Sequence, residues 1–464
     1  MYREIDQKIL KKIASLLPAE NIFTDREEMK KYAEDESPGL FYMPSAVVRP
    51  ENENQVRDIV ELANSFNFPL TARGGGTGLS GSALPALGGV VVSFELMDKI
   101  IEIDNKNRMA VVQPGVINGV FQEAAQKEGL FYPVNPASMD SCTLGGNLAQ
   151  SAGGANTVRY GTTRNYITGL RAVTGEGRNW QAGGRVVKNS TDASLIQLVC
   201  GSEGTLTLFT ELTFRLINRP PFNSWIIAPF KDIDKIPQAA SGIFNAGLNP
   251  TMVELMDSAA LELCSRHLGR NIEFSSFNYL LVHYDCDTAG ELEKHNLKSG
   301  DIFLSLGAED VLVADTPRNQ EKIWEMRSSV HEAIVNEAES LCEEDIVVPV
   351  GKVSGLISQA YTLAEKFGYR AVIFGHLGDG NMHINIVSDK SAKKSKSGKR
   401  LAEFKENLFN LALSLGGRLS GEHGIGLTKK PYFKKYIDPG YITLLKKIKK
   451  DFDPNNILNP GKIV

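Results

Sequence analysis

The sequence is poor in cysteine, and its few cysteines follow no recognisable binding pattern. An odd number at irregular spacing excludes a disulfide scaffold, and the lack of any C-x-x-C pair excludes the common iron-sulfur and zinc-thiolate motifs. The pattern therefore favours a protein of a reducing cytoplasm. The five residues are scattered singly along 464 positions, at Cys142, Cys200, Cys264, Cys286 and Cys342.

The chain also lacks a strong net charge, a membrane-spanning run and a signal-peptide pattern. Its 51 basic and 55 acidic residues leave a formal charge of −4, which gives no general attraction to nucleic acid or anionic membranes. No apolar stretch approaches the roughly 20 residues that cross a bilayer, and the acidic N-terminal residues are unlike a cleaved leader. We expect a cytoplasmic protein with no nucleic-acid partner and no transmembrane segment; peripheral membrane contact and a homodimer stay open.

What is present is an ordinary globular composition on a long chain. Hydrophobic residues make up 42% and charged residues 23%, and at roughly 100 to 200 residues per domain the chain should hold two or three domains. Val56, Ile59, Val60 and Ala63 recur at helical spacing within residues 53–67. Flanking apolar runs complete a predicted strand, helix and strand. The predicted strands are 46–48, 68–72, 90–94, 109–112 and 206–214, and a second helix is predicted at 118–127.

A boundary is predicted at Arg219-Pro-Pro, because two prolines can continue neither a helix nor a strand ladder. We therefore expect a cofactor-binding domain over residues 1–219, a substrate domain over 220–415, and a C-terminal segment over 416–464 that packs back on the cofactor site. The second domain should contain helices at 319–339 and 352–367 and paired strands within 371–387. The polar, basic residues 391–400 should form an exposed loop.

The segment Arg73-Gly-Gly-Gly-Thr-Gly78 follows a predicted strand and offers consecutive backbone amides that no side chain shields. Such a turn can hold a diphosphate. It is not the dinucleotide G-x-G-x-x-G that leads directly into a long helix, and no G-x-x-x-x-G-K-[ST] occurs. A plain glycine-rich turn would look the same.

Further glycine-dense segments shift the interpretation towards a ligand site. Residues 136–154 contain four glycines, and Tyr160-Gly161 and Gly201-Ser-Glu-Gly-Thr205 follow. A packed core does not need so much bare backbone, whereas a large flat ligand does, because glycine permits close approach and positive φ. The sequence therefore indicates a cofactor threaded between these segments.

A hairpin is predicted around Asp379-Gly380, which lies between two apolar runs. A turn centred on these two residues would pair Gly378 with Asn381 and place His376 opposite His383. Directly opposed Cβ atoms lie ~4.5 to 5.5 Å apart, so the two imidazoles could share one metal ion. Asn385 would share the strand face of His383.

The segment Ser420-Gly-Glu-His-Gly supplies an acid and a further histidine between glycines. Two histidines and one carboxylate would leave a metal ion with an open position for substrate. This donor set suits Zn²⁺, Fe²⁺ and Mn²⁺ alike. A pair of histidines on a hairpin can also be a purely structural feature.

These segments, in this order, resemble the vanillyl-alcohol oxidase superfamily, whose FAD domain is of the p-cresol methylhydroxylase (PCMH) type. Within it, the chain is similar to the branch that holds the FAD-binding chain of glycolate oxidase, D-lactate dehydrogenase and D-2-hydroxyglutarate dehydrogenase, over nearly its whole length. The resemblance implies an α+β fold: a two-subdomain PCMH-type FAD domain and a ferredoxin-like FAD-linked oxidase C-terminal domain. The first histidine is His267, so a histidyl link from the N-terminal half is ruled out and FAD should be non-covalent.

The resemblance also implies roles for individual residues. His376, His383 and Glu422 would hold a divalent metal, usually zinc in the family, and His423 would be the general base. Arg327 would bind the substrate carboxylate, with Lys352 and Asn385 as weaker substrate contacts, whereas His331 has no clear counterpart. The expected FAD contacts are Arg73, Gly74, Gly75, Gly76, Thr77, Gly78, Pro136, Thr143, Gly145, Gly146, Ser151, Gly153, Gly154, Tyr160, Gly161, Glu203, Gly204 and Asn459.

The implied activity is oxidation of a D-2-hydroxy acid of the lactate, glycolate or 2-hydroxyglutarate class to the 2-oxo acid. Hydride would pass to flavin N5, and electrons would then leave to an electron-transfer flavoprotein, an iron-sulfur subunit or a quinone. Three alternatives stay open: a flavin-fold transferase of the alkylglycerone-phosphate synthase type, a mononuclear iron oxygenase, and a non-catalytic electron-transfer subunit. The choice of acid, metal and acceptor is not determined by the sequence.

Overall fold

The computed structural model describes residues 2–273, 275–337, 339–388 and 397–464. The chain forms two compact units. Unit 1 consists of Met1–Gly153, Thr162–Arg219 and His423–Val464, and unit 2 consists of Gly154–Gly161 and Pro220–Glu422.

Helices and strands are mixed along the described residues. In chain order the helices are α1 Gln7–Ile13, α2 Arg26–Met29, α3 Glu53–Phe66, α4 Asn118–Lys127, α5 Leu144–Gln150, α6 Thr157–Tyr160, α7 Leu195–Val199, α8 Lys235–Asn245, α9 Ser258–His267, α10 Ala289–Ser305, α11 Pro317–Ser328, α12 Val330–Glu337, α13 Val353–Lys366, α14 Ser397–Ser414, α15 Lys430–Tyr436 and α16 Pro439–Phe452.

The strands are mostly short in unit 1 and longer in unit 2. In chain order they are β1 Ile22–Phe23, β2 Ala46–Val48, β3 Leu70–Arg73, β4 Val90–Ser93, β5 Ile100–Asp104, β6 Met109–Val112, β7 Leu130–Phe131, β8 Ile167–Thr174, β9 Asn179–Gly183, β10 Thr207–Arg215, β11 Ile217–Asn218, β12 Phe222–Phe230, β13 Met252–Met256, β14 Asn278–Cys286, β15 Leu312–Ala314, β16 Glu339–Val347, β17 Arg370–His376 and β18 Asn381–Ser388.

The units differ from the predicted domains in two short segments. Residues 154–161 belong to unit 2, because Arg159 donates to the carbonyl of Asp285 and the Tyr160 hydroxyl donates to its carboxylate at 3.0 Å. Residues 416–422 also belong to unit 2, where Asp345 accepts the backbone amides of Gly421 and Glu422 at 2.9 and 3.0 Å. Polar contacts with partners distant in sequence accompany both differences.

Unit 1 contains the predicted strand, helix and strand, which are confirmed. Strands β2, β4 and β3 pair in parallel, and α3 crosses between β2 and β3. The side chain of Asn52 caps α3 by accepting the Gln55 amide at 3.1 Å, and Asn67 ends it in the left-handed region with φ 54°. The buried face of α3 packs on this sheet. A second, antiparallel sheet has the order β5–β6–β10–β8–β9.

The C-terminal segment joins the edge of β3. The Leu70 amide donates to the carbonyl of Ile457, and the Asn459 amide donates to the carbonyl of Leu70, both at 2.7 Å. Asp453 fixes this turn by accepting the amides of Ile457 and Leu458 at 3.0 and 2.8 Å and by pairing with Lys449. The Lys449 ammonium also donates to the carbonyl of Leu458 at 2.6 Å.

Unit 2 is built on one sheet with the order β15–β12–β14–β13–β17–β18–β16, antiparallel at every pair. Helices α9, α11 and α12 cover one face, where apolar residues of these helices form a core with residues of β13, β14 and β17. Several strands are buried along their whole length, such as β13. A sheet that is covered on both faces accounts for such continuously buried strands, whereas a half-exposed sheet would alternate apolar and polar residues along each strand.

Two expectations for this region need correction. The helix predicted at 319–339 is two helices, α11 and α12, which meet at Ser329, and β16 begins at Glu339. Of the predicted loop 391–400, residues 391–396 lie outside the described part of the chain, whereas residues 397–400 form the first turn of α14. Without an apolar face, that turn carried no helical signal.

We predict that Asp453→Ala lowers the free energy of unfolding by about 3 to 5 kcal/mol, because it removes the ion-pair partner of the largely buried Lys449 ammonium and the acceptor of two backbone amides. Urea unfolding followed by circular dichroism measures the change. Asp451→Ala is the matched control, since Asp451 is exposed two residues away. Equal stability of the two variants would contradict this prediction.

Candidate active site

In unit 1 the two glycine-rich segments meet face to face. A Cβ atom on Gly74 would lie 2.3 Å from the Thr143 hydroxyl, and one on Gly75 would lie 2.2 Å from the carbonyl of Ser141. Gly76 has a φ of 75°, which side chains rarely adopt. Glycine is therefore required for the loop after β3 to approach the segment before α5 so closely, and the backbone there stays bare.

A cavity of about 390 Å³ opens beside this contact. Its walls include Arg73, Gly74, Gly75, Gly115, Val116 and Thr143. Such a volume accommodates part of a dinucleotide rather than a small ion alone. The bare backbone and the cavity together fit a flavin dinucleotide whose diphosphate lies at the loop.

Arg73 is buried, and its guanidinium packs against Gly76 of this loop, where a Cβ atom would lie 2.1 Å from Nη2. It donates to the carbonyls of Glu34 and Lys31 at 2.9 and 2.7 Å, and burial lowers the pKa of its guanidinium. The side chain therefore ties β3 to the segment around Tyr32. Its contribution to a diphosphate site, if FAD binds as predicted, would come through the backbone of the following glycines.

Glu203 and Asn459 hold several unit 1 segments together. The Glu203 carboxylate accepts the amides of Ile425 and Gly426, both at 2.8 Å. Asn459 donates to the carbonyls of Ser82 and Glu203 at 2.8 and 2.7 Å. Burial raises the pKa of Glu203 to about 7, despite these amides and the ammonium of Lys462. Both residues therefore hold neighbouring segments of unit 1 together by hydrogen bonds. Their direct contact with a cofactor stays a prediction.

The other predicted FAD residues fall into two groups. Gly154, Tyr160 and Gly161 belong to unit 2. The rest belong to unit 1, on the loop after β3, in and around α5, and beside Glu203: Thr77, Gly78, Pro136, Gly145, Gly146, Ser151, Gly153 and Gly204. Among these, Gly145 is sterically required, because a Cβ atom there would lie 2.6 Å from Pro114.

In unit 2 the predicted hairpin exists, but its register differs from the prediction. His376 pairs with Asn381, and His383 pairs with Phe374. The loop spans four residues rather than two, and Gly380 has a φ of 83° within it. His376 and His383 are therefore diagonal neighbours on one face, and their ring centroids lie 5.5 Å apart.

His376, His383 and Glu422 form a compact group of potential metal ligands. The Nε2 atoms of the two histidines lie 3.4 and 3.5 Å from Oε1 of Glu422. Two ligand atoms at usual zinc distances in a tetrahedral site lie about 3.4 Å apart. Burial alone would lower the pKa of His376, but Glu254 and Glu422 raise it well above its usual value. The group therefore favours a cation at its centre.

Glu254 is a site residue that the sequence did not reveal. It lies on β13, is fully buried, and accepts from His376 Nδ1 at 2.8 Å. Its other oxygen accepts from Arg327 Nε and Nη2 at 2.7 and 2.6 Å. Burial would raise the pKa of Glu254, but His376 and Arg327 lower it to about 2. A carboxylate behind a histidine ligand orients the ring and strengthens it as a donor.

Two further acids on β16 complete the surroundings. Asp345 accepts from Asn381 Nδ2 at 2.5 Å and from the Ser420 hydroxyl at 2.6 Å, besides the amides that it fixes beside Glu422. Glu343 Oε1 lies 3.8 Å from His383 Nδ1, and its Oε2 lies 2.8 Å from His331 Nδ1. Most of these contacts join residues that are far apart in the sequence, so no local sequence signal could have identified them.

The predicted substrate residues occupy different surroundings. The Arg327 guanidinium donates to Glu254. A substrate carboxylate would therefore have to compete with Glu254 for Arg327. Asn385 is buried, and its Nδ2 donates to no acceptor among the described residues. Lys352 is exposed on the turn before α13. His423 follows Glu422 in sequence and belongs to unit 1. Their substrate and catalytic roles stay predictions.

Comparison with known proteins identifies the family. Residues 219–463 match the family described as FAD linked oxidases, C-terminal domain, and residues 44–183 match the FAD binding domain family. The first match alone covers more than half of the chain. This chain belongs to the FAD-linked oxidases. The expectation of a flavin-dependent oxidoreductase is thereby confirmed.

Full-length relatives support the same family. The chain is 33% identical to a D-lactate dehydrogenase of Anaerostipes hadrus over 471 residues, which covers 100% of this chain and 98% of the relative. It is 32% identical to a D-2-hydroxyglutarate dehydrogenase of Stutzerimonas stutzeri over 471 residues, which covers 99% of both chains. The predicted branch of the superfamily is therefore confirmed.

A solved structure confirms the fold of this FAD-linked oxidase. The crystal structure of p-cresol methylhydroxylase with substrate bound matches with a TM-score of 0.80 at 19% sequence identity, covering 100% of this chain and 98% of that one. The predicted PCMH-type architecture with an FAD-oxidase C-terminal domain is thus correct. Among the described residues, no helix is both long and apolar enough to cross a membrane.

We predict that Glu203→Gln flattens the pH dependence of stability between about pH 4.5 and 7. Because the pKa of Glu203 is raised to about 7, the folded state retains a proton that the unfolded state releases in this window. Wild-type stability should therefore fall as pH rises through it, by up to roughly 3 kcal/mol. Urea unfolding of both proteins across this range measures the difference. Parallel curves would contradict the assignment.

We predict that Glu254→Gln weakens the binding of a divalent ion by His376, His383 and Glu422 by about 10- to 100-fold, because the neutral amide no longer supports the His376 ring. Elemental analysis after dialysis against graded chelator measures retention. Glu262→Gln, an exposed acid on α9, is the control. Equal retention in both variants, with both folded by circular dichroism, would show that Glu254 does not support the site.

Proposed function

We propose that this FAD-linked oxidase oxidises a D-2-hydroxy acid to the 2-oxo acid. The observation that carries the proposal is the group formed by His376, His383 and Glu422 in a chain whose full-length relatives are named D-lactate and D-2-hydroxyglutarate dehydrogenases. A donor set of two imidazoles and one carboxylate suits a substrate that offers an alcohol and a carboxylate oxygen. These relatives also make the transferase alternative the weaker one.

A divalent ion on these three ligands would lower the pKa of the substrate hydroxyl. It would bind the hydroxyl oxygen and one carboxylate oxygen of the hydroxy acid. Zinc suits the donor set, and Mn²⁺ or Fe²⁺ would also bind it. Three protein ligands leave coordination positions for substrate. The chain contributes the orientation: Glu254 fixes the His376 ring, and Asp345 fixes the backbone at Glu422.

His423 is proposed to take the proton of the substrate hydroxyl. It follows the ligand Glu422 directly in sequence, and glycines on both sides of this pair allow a close approach of backbone to substrate. A histidine titrates near neutral pH and so can accept a proton under working conditions. The proton leaves from oxygen and the hydride leaves from Cα, which converts the alcohol to the ketone.

FAD, when bound by the glycine-rich backbone of unit 1, supplies the acceptor for that hydride at N5. Thr143 and the glycines from Gly74 to Gly78 are proposed to hold its diphosphate. The two electrons must then leave to a separate acceptor, such as an electron-transfer flavoprotein, an iron-sulfur subunit or a quinone. We place the protein in the cytoplasm, in keeping with its isolated cysteines.

Arg327 takes a different role from the one that the family resemblance implies. Its Nε and Nη2 atoms bind the buried Glu254 carboxylate, and releasing them would leave that charge uncompensated. We therefore propose that Arg327 positions the metal ligands through Glu254. The buried Asn385 amide, on the strand face of His383, is the better candidate for a direct contact with substrate.

The charge around the ligands favours acids with a single carboxylate. Glu343 adds a further negative group 3.8 Å from His383, and the guanidinium of Arg327 is already neutralised by Glu254. A second substrate carboxylate placed here would meet repulsion. Lactate or glycolate is therefore the proposed class, ahead of 2-hydroxyglutarate.

Anaerobic mixing of the FAD-loaded protein with D- and L-2-hydroxy acids tests the proposal. We expect fast bleaching of the flavin by a D-acid with one carboxylate, and slower bleaching by D-2-hydroxyglutarate. His423→Gln should slow bleaching by about 10² to 10⁴ while FAD stays bound, whereas His267→Gln should react at the wild-type rate. No bleaching by any acid, with FAD and metal present, would overturn the dehydrogenase proposal in favour of the transferase.

A further inference from the structure

A second cluster of metal-ligating side chains lies in unit 2, built from other residues than the hairpin. Cys286 ends β14, and Glu291 and His295 lie four residues apart on α10, so that they share one helix face. Their sulfur, carboxylate oxygen and ring nitrogen all lie within 4.8 Å of one another. None of these residues takes part in the proposed oxidation.

The distance between sulfur and nitrogen matches a shared ion. Cys286 Sγ lies 3.5 Å from His295 Nδ1. A thiolate at 2.3 Å and an imidazole at 2.0 to 2.1 Å from a tetrahedral zinc ion lie about 3.5 Å apart. A zinc ion could therefore bind both atoms without movement of the backbone. The exposed Glu291 side chain, on the same helix face as His295, can rotate so that its carboxylate becomes the third ligand.

The fold positions the His295 ring and the start of α10 before any ion binds. Thr288 caps α10 by accepting the Glu291 amide at 3.2 Å. The His295 ring contacts the Tyr284 ring at 5.0 Å, and the Tyr284 hydroxyl lies 2.9 Å from the buried Ser299 hydroxyl. Ring orientation and helix position are thus fixed by packing, so little entropy is lost on binding.

Metal binding at this cluster should release a proton. A cation bound to the Cys286 thiolate would displace the thiol proton, so one proton should be released for each ion bound.

We propose that Cys286, Glu291 and His295 form a second metal site, which takes a zinc-class divalent cation and clips the end of β14 to α10. The donor set of thiolate, imidazole and carboxylate selects zinc or cadmium over magnesium and calcium, which prefer oxygen ligands alone. Water completes the coordination. The site is distinct from the hairpin group, which contains no sulfur.

Cadmium titration of the FAD-loaded, chelator-treated protein tests the proposal, because a bound thiolate gives an ultraviolet charge-transfer band that oxygen and nitrogen ligands do not give. In the wild type and in His376→Gln, we expect the band to correspond to one thiolate-bound cadmium ion per protein. Cys286→Ser should show no band. Glu291→Gln should bind cadmium at least tenfold more weakly. Glu293→Gln, an exposed acid of the same helix, should bind as the wild type does.

A second measurement needs no variant. X-ray absorption of the zinc-loaded wild-type protein should show sulfur among the zinc ligands, which the hairpin group cannot supply. A missing cadmium band, an undiminished band in Cys286→Ser, or a zinc coordination shell without sulfur would each overturn the second site.

Discussion

The structure of unit 2 depends on how its buried carboxylates are neutralised. An isolated ionised group is very unfavourable in a protein interior, yet Glu254 and Asp345 are both fully buried. Glu254 is balanced by Arg327 and His376, and Asp345 is balanced by donors that include two backbone amides. With these two acids satisfied, Glu422 faces the Nε2 atoms of both histidines, an arrangement that a shared cation stabilises.

Two carboxylates hold the segment that carries His423. On one side, Asp345 accepts the amides of Gly421 and Glu422. On the other side, Glu203 accepts the amides of Ile425 and Gly426. Glycines give this segment its shape but no rigidity of their own, so the two acids supply the constraint. The backbone before and after the proposed base is thus held by hydrogen bonds within each unit.

The sequence predicted features that local patterns encode. The strand, helix and strand around α3 and the hairpin at Asp379-Gly380 both rest on spacing or turn chemistry within about twenty residues. The hairpin register was wrong, because Asp-Gly indicates a turn but does not determine how many loop residues surround it. His376 and His383 are neighbours nevertheless, since diagonal positions on one strand face also bring side chains together.

The residues that the sequence missed are those whose partners are remote. Glu254 precedes Arg327 by 73 positions and His376 by 122, so only the sheet order brings them together. The same is true of Asp345 and the Gly-Glu-His segment. Arg327 shows a related limit: a helical arginine has the right chemistry for a substrate carboxylate, which stays a prediction, but the sequence did not reveal that it also pairs with the buried Glu254.

Fold alone leaves the reaction open. The likeness to p-cresol methylhydroxylase covers the whole chain at 19% identity, and one fold carries many different reactions. What distinguishes reactions on a shared flavin fold is the polar group that meets the substrate. In the proposed function that group is His376, His383 and Glu422, in which Oε1 of Glu422 lies 3.4 and 3.5 Å from Nε2 of the two imidazoles. A cation bound to the three would add the positive charge that attracts a hydroxy acid, so metal binding and substrate binding should be coupled, and loss of the ion should weaken affinity for the acid as well as turnover.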